Sequence, residues 1–372
     1  MSRKKILIFS LVLMFVFSLA LFGCGGETPA DLDGPDEQEE QGGGDDSFAD
    51  LPDIQMTLAH ADIDDPTQHI QAASLAFKEY VEAESNGKIK VEISPGGALG
   101  NTEQLQEQTM TGEIEASTSH TEGTIAIVYP NIQTISVPYL FDSVDQALEV
   151  FRGEFGQEMF EEMRQQTGLR VIGVWDNGGF RNFTNSVRPI RKPEDMKGLK
   201  MRTMDIPAHM AIVEELGGTP TPVSWAEVYS ALETGVVDGH DNSVPVIILG
   251  SIHEVQDYLI LDGHVYTQQH LFINDEWFNS LPKAYQEIIL RAGEKAGIAG
   301  ERACRVYRDI GLKFLSDYME IYEPTLEEID AFRQATQEPV IKFIEEDVDD
   351  PAWIDKILKA AEEANRKLGY TK

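Results

Sequence analysis

Apolar and polar residues alternate at the start of the body. Ile54, Met56 and Leu58 flank Gln55 and Thr57, which predicts a strand ending near His60. Ile70, Ala73, Phe77, Tyr80 and Val81 then fall at helical spacing, Gly87 stops that helix, and Ile89, Val91 and Ile93 alternate again. This is a β-α-β unit. Pro95-Gly96-Gly97 turns the chain, and Asn101 with Gln104 predicts a capped helix stopping at Gly112. Ser143 with Gln146 predicts a capping box for a helix running to about Gln166. Leu169–Trp175 reads as a strand, and Ser224 with Glu227 as a second capping box, its helix closed by Gly235. Such alternation predicts an α/β protein with mainly parallel sheets. After Pro282 the helical register runs through Ile288, Ile289, Ile298, Val306, Ile310, Phe314 and Leu315 to about Tyr318, with bends expected at Gly293, Gly297 and Gly300. Thr325 with Glu328 and Asp350-Pro351 predict two further helix starts. No repeat of 20–50 residues interrupts this order.

The first residues break the pattern. Arg3, Lys4 and Lys5 precede a nearly continuous apolar run, Ile6 to Phe22, followed by Gly23 and Cys24, the order of a secretory signal. Leu21-Phe22-Gly23-Cys24 resembles a bacterial lipobox, which implies a signal peptide over 1–23 and lipid on Cys24. Residues 25–53 hold eleven acids, no bases and six glycines. They read as a disordered acidic tether reaching about 30 Å.

The whole chain of 372 residues carries a net charge of −34, and residues 54–372 alone hold 27 basic and 53 acidic side chains. That balance excludes nucleic acid as a partner, since phosphate binding needs a positive surface. The two cysteines, Cys24 and Cys304, support neither a disulfide framework nor a thiolate metal site, and Cys304 reads as an inert core thiol. No G-x-S-x-G, Walker loop or G-x-G-x-x-G follows a strand, so neither an enzyme nor a cofactor is expected. His60–Asp65 lacks the glycine and glutamate of a calcium loop, and Asp238–Asn242 lacks a supporting histidine pair, so no metal site is expected. His264 and His270 read as histidines satisfied in the core or at its rim.

Residues 179–202 oppose the overall charge, with seven basic side chains against two acidic. Arg188, Arg191, Lys192, Lys197 and Lys200 flank prolines and a turn, and read as surface. Arg181 sits between Phe180 and Phe183, and Arg202 follows Met201 at a strand end, which implies burial. A buried, permanently charged planar fork matches a carboxylate.

The chain resembles the DctP-type solute-binding proteins of TRAP transporters over about residues 54–345. The resemblance rests on five stretches in order: Ser94–Gly100, Val137–Phe141, Asn177–Asn185, Met196–Arg202 and Glu227–Asn242. It implies a two-domain periplasmic-binding (Venus flytrap) fold with crossing strands and a long helix spanning both domains. Domain I would comprise 54–177 plus 268–307, and domain II 178–267 plus 308–372, after a tether over 24–53. The ligand implied is a small organic acid, a sugar acid or a C4-type dicarboxylate, with Arg202 on its carboxylate, Arg181 assisting and Asn242 orienting. Trp175, Glu103, His120, Tyr139 and Tyr266 match lining regions. Gly178-Gly179 carries one glycine more than many members, and His240-Asp241 stands where Gln-Glu is common. The implied partners are the TRAP permease subunits and the membrane through the lipid anchor, with the receptor a monomer. A binding module of an ABC importer or a chemoreceptor is the alternative.

Overall fold

The computed structural model describes residue 48 and residues 50–369. The predicted signal segment, Cys24 and most of the acidic tether lie outside the described residues. Ten strands form the frame: β1 (Ile54–Ala59), β2 (Ile89–Ser94), β3 (Ala116–His120), β4 (Leu169–Asn185), β5 (Lys200–Thr203), β6 (Thr219–Pro222), β7 (Gly239–Asn242), β8 (Tyr258–Ile260), β9 (Val265–Asn274) and β10 (Glu320–Tyr322). Their order is β2-β1-β3-β9-β4-β7-β5-β6, with β8 against the end of β4 and β10 against β8.

The sheet is mixed rather than mainly parallel. β1 pairs parallel with β2 and β3, and β5 parallel with β6 and β7. Between these groups β4 and β9 run antiparallel to each other and pass from one lobe into the other. These are the crossing strands of a two-domain fold. β4 continues ten residues past the expected end at Trp175. Its register shifts between Asp176 and Phe180, around Gly178 (φ +91°) and Gly179 (φ +93°), so the alternation that marks a strand is interrupted.

Helix boundaries follow local capping chemistry where that chemistry is complete. Asn101 and Gln104 exchange the two bonds of a capping box, as do Thr325 and Glu328. Two expectations fail. The helix expected from Ser143 to Gln166 is two, Val144–Arg152 and Glu154–Thr167, because Gly153 is extended and a Cβ at Gly156 would stand 1.9 Å from the Phe151 carbonyl oxygen. At Ser224 the hydroxyl donates to the Glu227 carboxylate instead of accepting from the helix, and a short 3-10 turn precedes the helix Val228–Glu233.

The helix Lys283–Leu315 spans both lobes without a break, packing on the helix His69–Glu84, on β4 and on the helix Val244–Leu249. Gly293 and Gly300 allow close approach instead of bending it. A Cβ at Gly293 would lie 1.9 Å from the Ile172 carbonyl oxygen, and one at Gly300 would lie 2.6 Å from the Trp175 indole nitrogen. Its inner face is therefore small: Ala292, Gly293, Ala296, Gly297, Gly300 and Cys304 are buried. Ile298, Val306, Ile310 and Phe314, which carry part of the apolar register, are exposed. No helix among the described residues is long and apolar enough to cross a membrane.

All eight histidines are buried. Burial pushes His69 and His270 down to about 4, and His120, His209 and His240 down to about 3, so these five are neutral in the folded protein. Unfolded, each titrates near 6.5. The stability they contribute is present above that pH and is lost as pH falls through the folded values. Each proton taken up by the unfolded chain alone costs about 1.4 kcal/mol per pH unit. Glu122, pushed up by burial to about 7, Asp176, pushed up to about 6, and His264, raised to about 9, act the opposite way, but they are three groups against five. The melting temperature is expected to fall by roughly 10 °C between pH 7 and pH 5. A scanning-calorimetry profile flat over that range would contradict the assignment of neutral buried histidines.

Candidate functional site

The carboxyl ends of both parallel strand groups open onto one cavity of about 970 Å³. That is where open α/β sheets place ligands, because the loops leaving these ends are free of the sheet's hydrogen bonding. One wall follows β1, β2 and β3: Asp62 and His69, Asn101 and Glu103, then Ser119 and Thr121. The other follows β5, β6 and β7: Arg202 with Met204, then Trp225, then Asn242. The crossing strands contribute Asn177, Arg181 and Gln269.

Arg202 is 3 % exposed. Its Nε donates to the Val223 carbonyl at 2.9 Å, which fixes the fork, and it makes no ion pair among the described residues. Burial, then repulsion from Arg181, lowers its pKa to about 10, so it remains a cation at neutral pH. A buried guanidinium without a carboxylate gains most from an incoming anion.

Arg181 is differently placed. Its Nε donates to Asp241 Oδ2 at 2.5 Å, its Nη2 to the Asp241 carbonyl at 2.6 Å, and its Nη1 to Asn242 Oδ1 at 3.5 Å. Asp241 Oδ2 also lies 3.2 Å from His264 Nε2, and His264 Nδ1 lies 2.7 Å from Asp262 Oδ2. Burial disfavours charge on His264, yet the two flanking carboxylates override it and push the imidazole up to about 9. Asp241 is held well below the carboxylate range, because Arg181 and His264 outweigh its burial. Arg181, Asp241, His264 and Asp262 thus form a buried chain of alternating charge beneath the cavity. Glu122 lies close by. Its Oε2 accepts from Thr267 at 3.1 Å, and its Oε1 stands 3.8 Å from His209 Nε2.

The structure brings Arg202, Arg181, Asn242 and Glu103 to the cavity. The other four expected lining residues are elsewhere. Trp175 is fully buried under the long helix, and its Nε1 donates to Nδ1 of His69, so it supports a lining residue from behind. His120 points into the core, bonded to Ser117 Oγ at 2.8 Å and stacked on Phe272. Tyr139 turns its hydroxyl to Asp262 at 3.3 Å. Tyr266 is enclosed by Phe141, Phe151 and Phe180. His120 and Tyr266 stand one and three residues from the lining residues Ser119 and Gln269, so the two-residue period of a strand turns them to the other face. Tyr139 lies outside the strands, and Trp175 is separated from the lining Asn177 by the register shift that begins at Asp176.

Several lining residues were not expected. Asp62 lies in the loop three residues past the end of β1, a positional signal in the sequence, and Ser119 is the penultimate residue of β3. Ser119 sits at φ +79° in a bulge of β3 and donates to the Asp62 carboxylate. Gln269 and Asn177, joined at 3.1 Å, carried no such signal. The basic side chains of 188–200 are surface, as expected. Arg188 donates to the carbonyls of Asp195 and Lys197, and Arg191 pairs with Glu320. His240 and Asp241 are committed to Thr184 and Arg181. Cys304 is a buried free thiol, its pKa raised by burial.

A two-lobed cleft that presents buried, preset polar groups from both lobes is suited to enclosing a small polar solute. The profile of "Bacterial extracellular solute-binding protein, family 7" (DctP) matches residues 58–347, and the chain belongs to that family. The fold matches the sugar acid binding protein DctPAm of Advenella mimigardefordensis, solved with galactonate, with a TM-score of 0.79 and 29 % identity, covering 85 % of this chain and 100 % of that one. It matches a TRAP periplasmic solute-binding protein of Sulfitobacter, solved with β-D-galacturonate, with a TM-score of 0.76 and 28 % identity, covering 83 % and 99 %. In sequence the chain is 29 % identical over 272 residues to the sialic acid-binding periplasmic protein SiaP of Vibrio cholerae, covering 73 % of this chain and 83 % of that protein.

Proposed function

We propose that this protein is the extracytoplasmic receptor of a TRAP-type transporter, that it captures a small organic acid in the cleft, and that it delivers the acid to the membrane permease without chemical turnover. The observation that carries the ligand class is Arg202, a buried cation facing the cavity with no carboxylate of its own. Arg202 takes the ligand carboxylate in a two-pronged ion pair, and Asn242 helps orient it. Arg181, committed to Asp241, fixes the floor and adds positive potential. The relatives' sugar-acid ligands support the same class.

In this reading the body is tethered by lipid on Cys24 and acts as a monomer. Its domains, about 54–177 plus 268–307 and 178–267 plus 308–372, close on the ligand about the crossing strands. Lipid at Cys24 in the intact mass of membrane-extracted protein, and a more compact scattering curve with ligand than without, check these two points. A thermal-shift screen of organic acids, neutral sugars and organic cations tests the function itself, because binding to the native state alone raises the melting temperature. The expected best hit is an acid. A neutral sugar or a cation at the top of the ranking would overturn the assignment.

A further inference from the structure

The charge layout of the cavity narrows the ligand further. Its lining holds two arginines and no lysine. Arg181 is already neutralised by Asp241, which leaves Arg202 to meet an incoming charge. The lining histidine, His69, accepts from the Trp175 indole at Nδ1 and is neutral, because burial pushes it down to about 4. Arg202 is therefore the lining cation left to pair with a ligand charge, while Asp62, Glu103, Asp205 and Glu254 add acidic side chains to the lining.

The facing wall is acidic. Asp62 follows β1, and Glu103 lies in the first turn of the helix Thr102–Thr111. Neither makes an ion pair among the described residues. Asp62 receives one side-chain hydrogen bond, from the Ser119 hydroxyl. The field of Glu103 reaches Arg202. An ionised carboxylate only accepts hydrogen bonds. A ligand group directed at either carboxylate must donate, and a second ligand carboxylate beside them would meet like charge in a partly desolvated space.

We propose that Asp62 and Glu103 set the ligand class: the cleft takes a molecule with a single carboxylate, held by Arg202, and with hydrogen-bond donors at its other end, and it rejects dicarboxylates. The donors are hydroxyls or an ammonium group. This rests on the carboxylate reading above and removes the C4 dicarboxylates from it. Specificity here comes from a repulsive element as much as from an attractive one.

Isothermal titration of the parent, Glu103→Gln and Asp62→Asn with galacturonate, galactonate, sialic acid, glutamine, succinate and galactose tests it. The parent is expected to bind a hydroxylated or zwitterionic monoacid at least about tenfold more tightly than succinate. The ranking of the sugar acids against glutamine tells hydroxyl from ammonium donors. Each variant is expected to weaken the favoured monoacid and to shift the succinate-to-monoacid affinity ratio toward succinate by about tenfold. Succinate as the tightest ligand of the parent, or a ratio unchanged in both variants, overturns the proposal while leaving the carboxylate reading intact. Galactose as the tightest ligand, or no monoacid bound, overturns both. The parent titrations decide the class even if a variant folds poorly.

Discussion

Arg202→Ala is expected to weaken binding of the ligand acid on the order of 30-fold or more. Truncating one side of a desolvated charge pair costs about 2–5 kcal/mol, and each 1.4 kcal/mol is roughly tenfold in affinity. Arg202 meets the conditions for such a cost. It is buried, and its own bond to Val223 sets the fork before the ligand arrives. Arg202→Lys is expected to lose much of the same affinity, because an ammonium presents a point charge where the guanidinium presents two parallel donors. Arg188→Ala, by contrast, removes bonds to the turn carbonyls of Asp195 and Lys197 at the surface and is expected to leave binding unchanged. Calorimetric titration of the three variants separates these outcomes. Parent-like affinity in Arg202→Ala would remove the proposed receptor for the carboxylate.

Asp241→Asn is expected to cost about 3–5 kcal/mol of stability, the range for breaking a buried ion pair by removing one partner. The substitution keeps the shape but leaves both the Arg181 guanidinium and the His264 imidazolium without their shared carboxylate. Both are buried, and water cannot compensate either. A second readout distinguishes electrostatics from packing. His264 is raised to about 9, so its contribution is full below about 6.5 and is lost as pH rises through the folded value. In Asp241→Asn that alkaline loss is expected to shrink, because one of the two carboxylates holding the proton is gone. Denaturant melts at pH 7 and pH 9 on the parent and the variant measure both effects. A loss below about 1 kcal/mol with an unchanged alkaline slope would mean that the chain of charges does not hold the floor of the cleft.

What could be read from the sequence was local or carried by the family resemblance. The Asn101–Gln104 and Thr325–Glu328 boxes involve residues three apart, and both formed. Arg202 and Arg181 stood out because a basic residue beside apolar ones implies burial, and both are buried. The partners of Arg181 were not visible. Asp241 is sixty residues away, and only the pairing of β4 with β7 brings them together. Facing was the second blind spot. The resemblance placed His120, Tyr139, Trp175 and Tyr266 in lining regions, but a bulge or a positive φ, as at Ser119 and Tyr139, decides which side chain enters the cavity. The third was the long helix. Its apolar register ran through Ile298, Val306 and Ile310 and the glycines read as bends, whereas close approach to β4 demanded a face of glycine and alanine, and the larger side chains turn outward.

The most direct test of a carboxylate receptor at Arg202 compares the best acid from the screen with its own methyl ester. The two share shape and hydroxyls and differ at the charged group alone. Titration of the parent protein is expected to show the ester at least about 30-fold weaker. It is also expected to show that Arg202→Ala no longer distinguishes the two. Equal affinity of acid and ester for the parent would contradict the account.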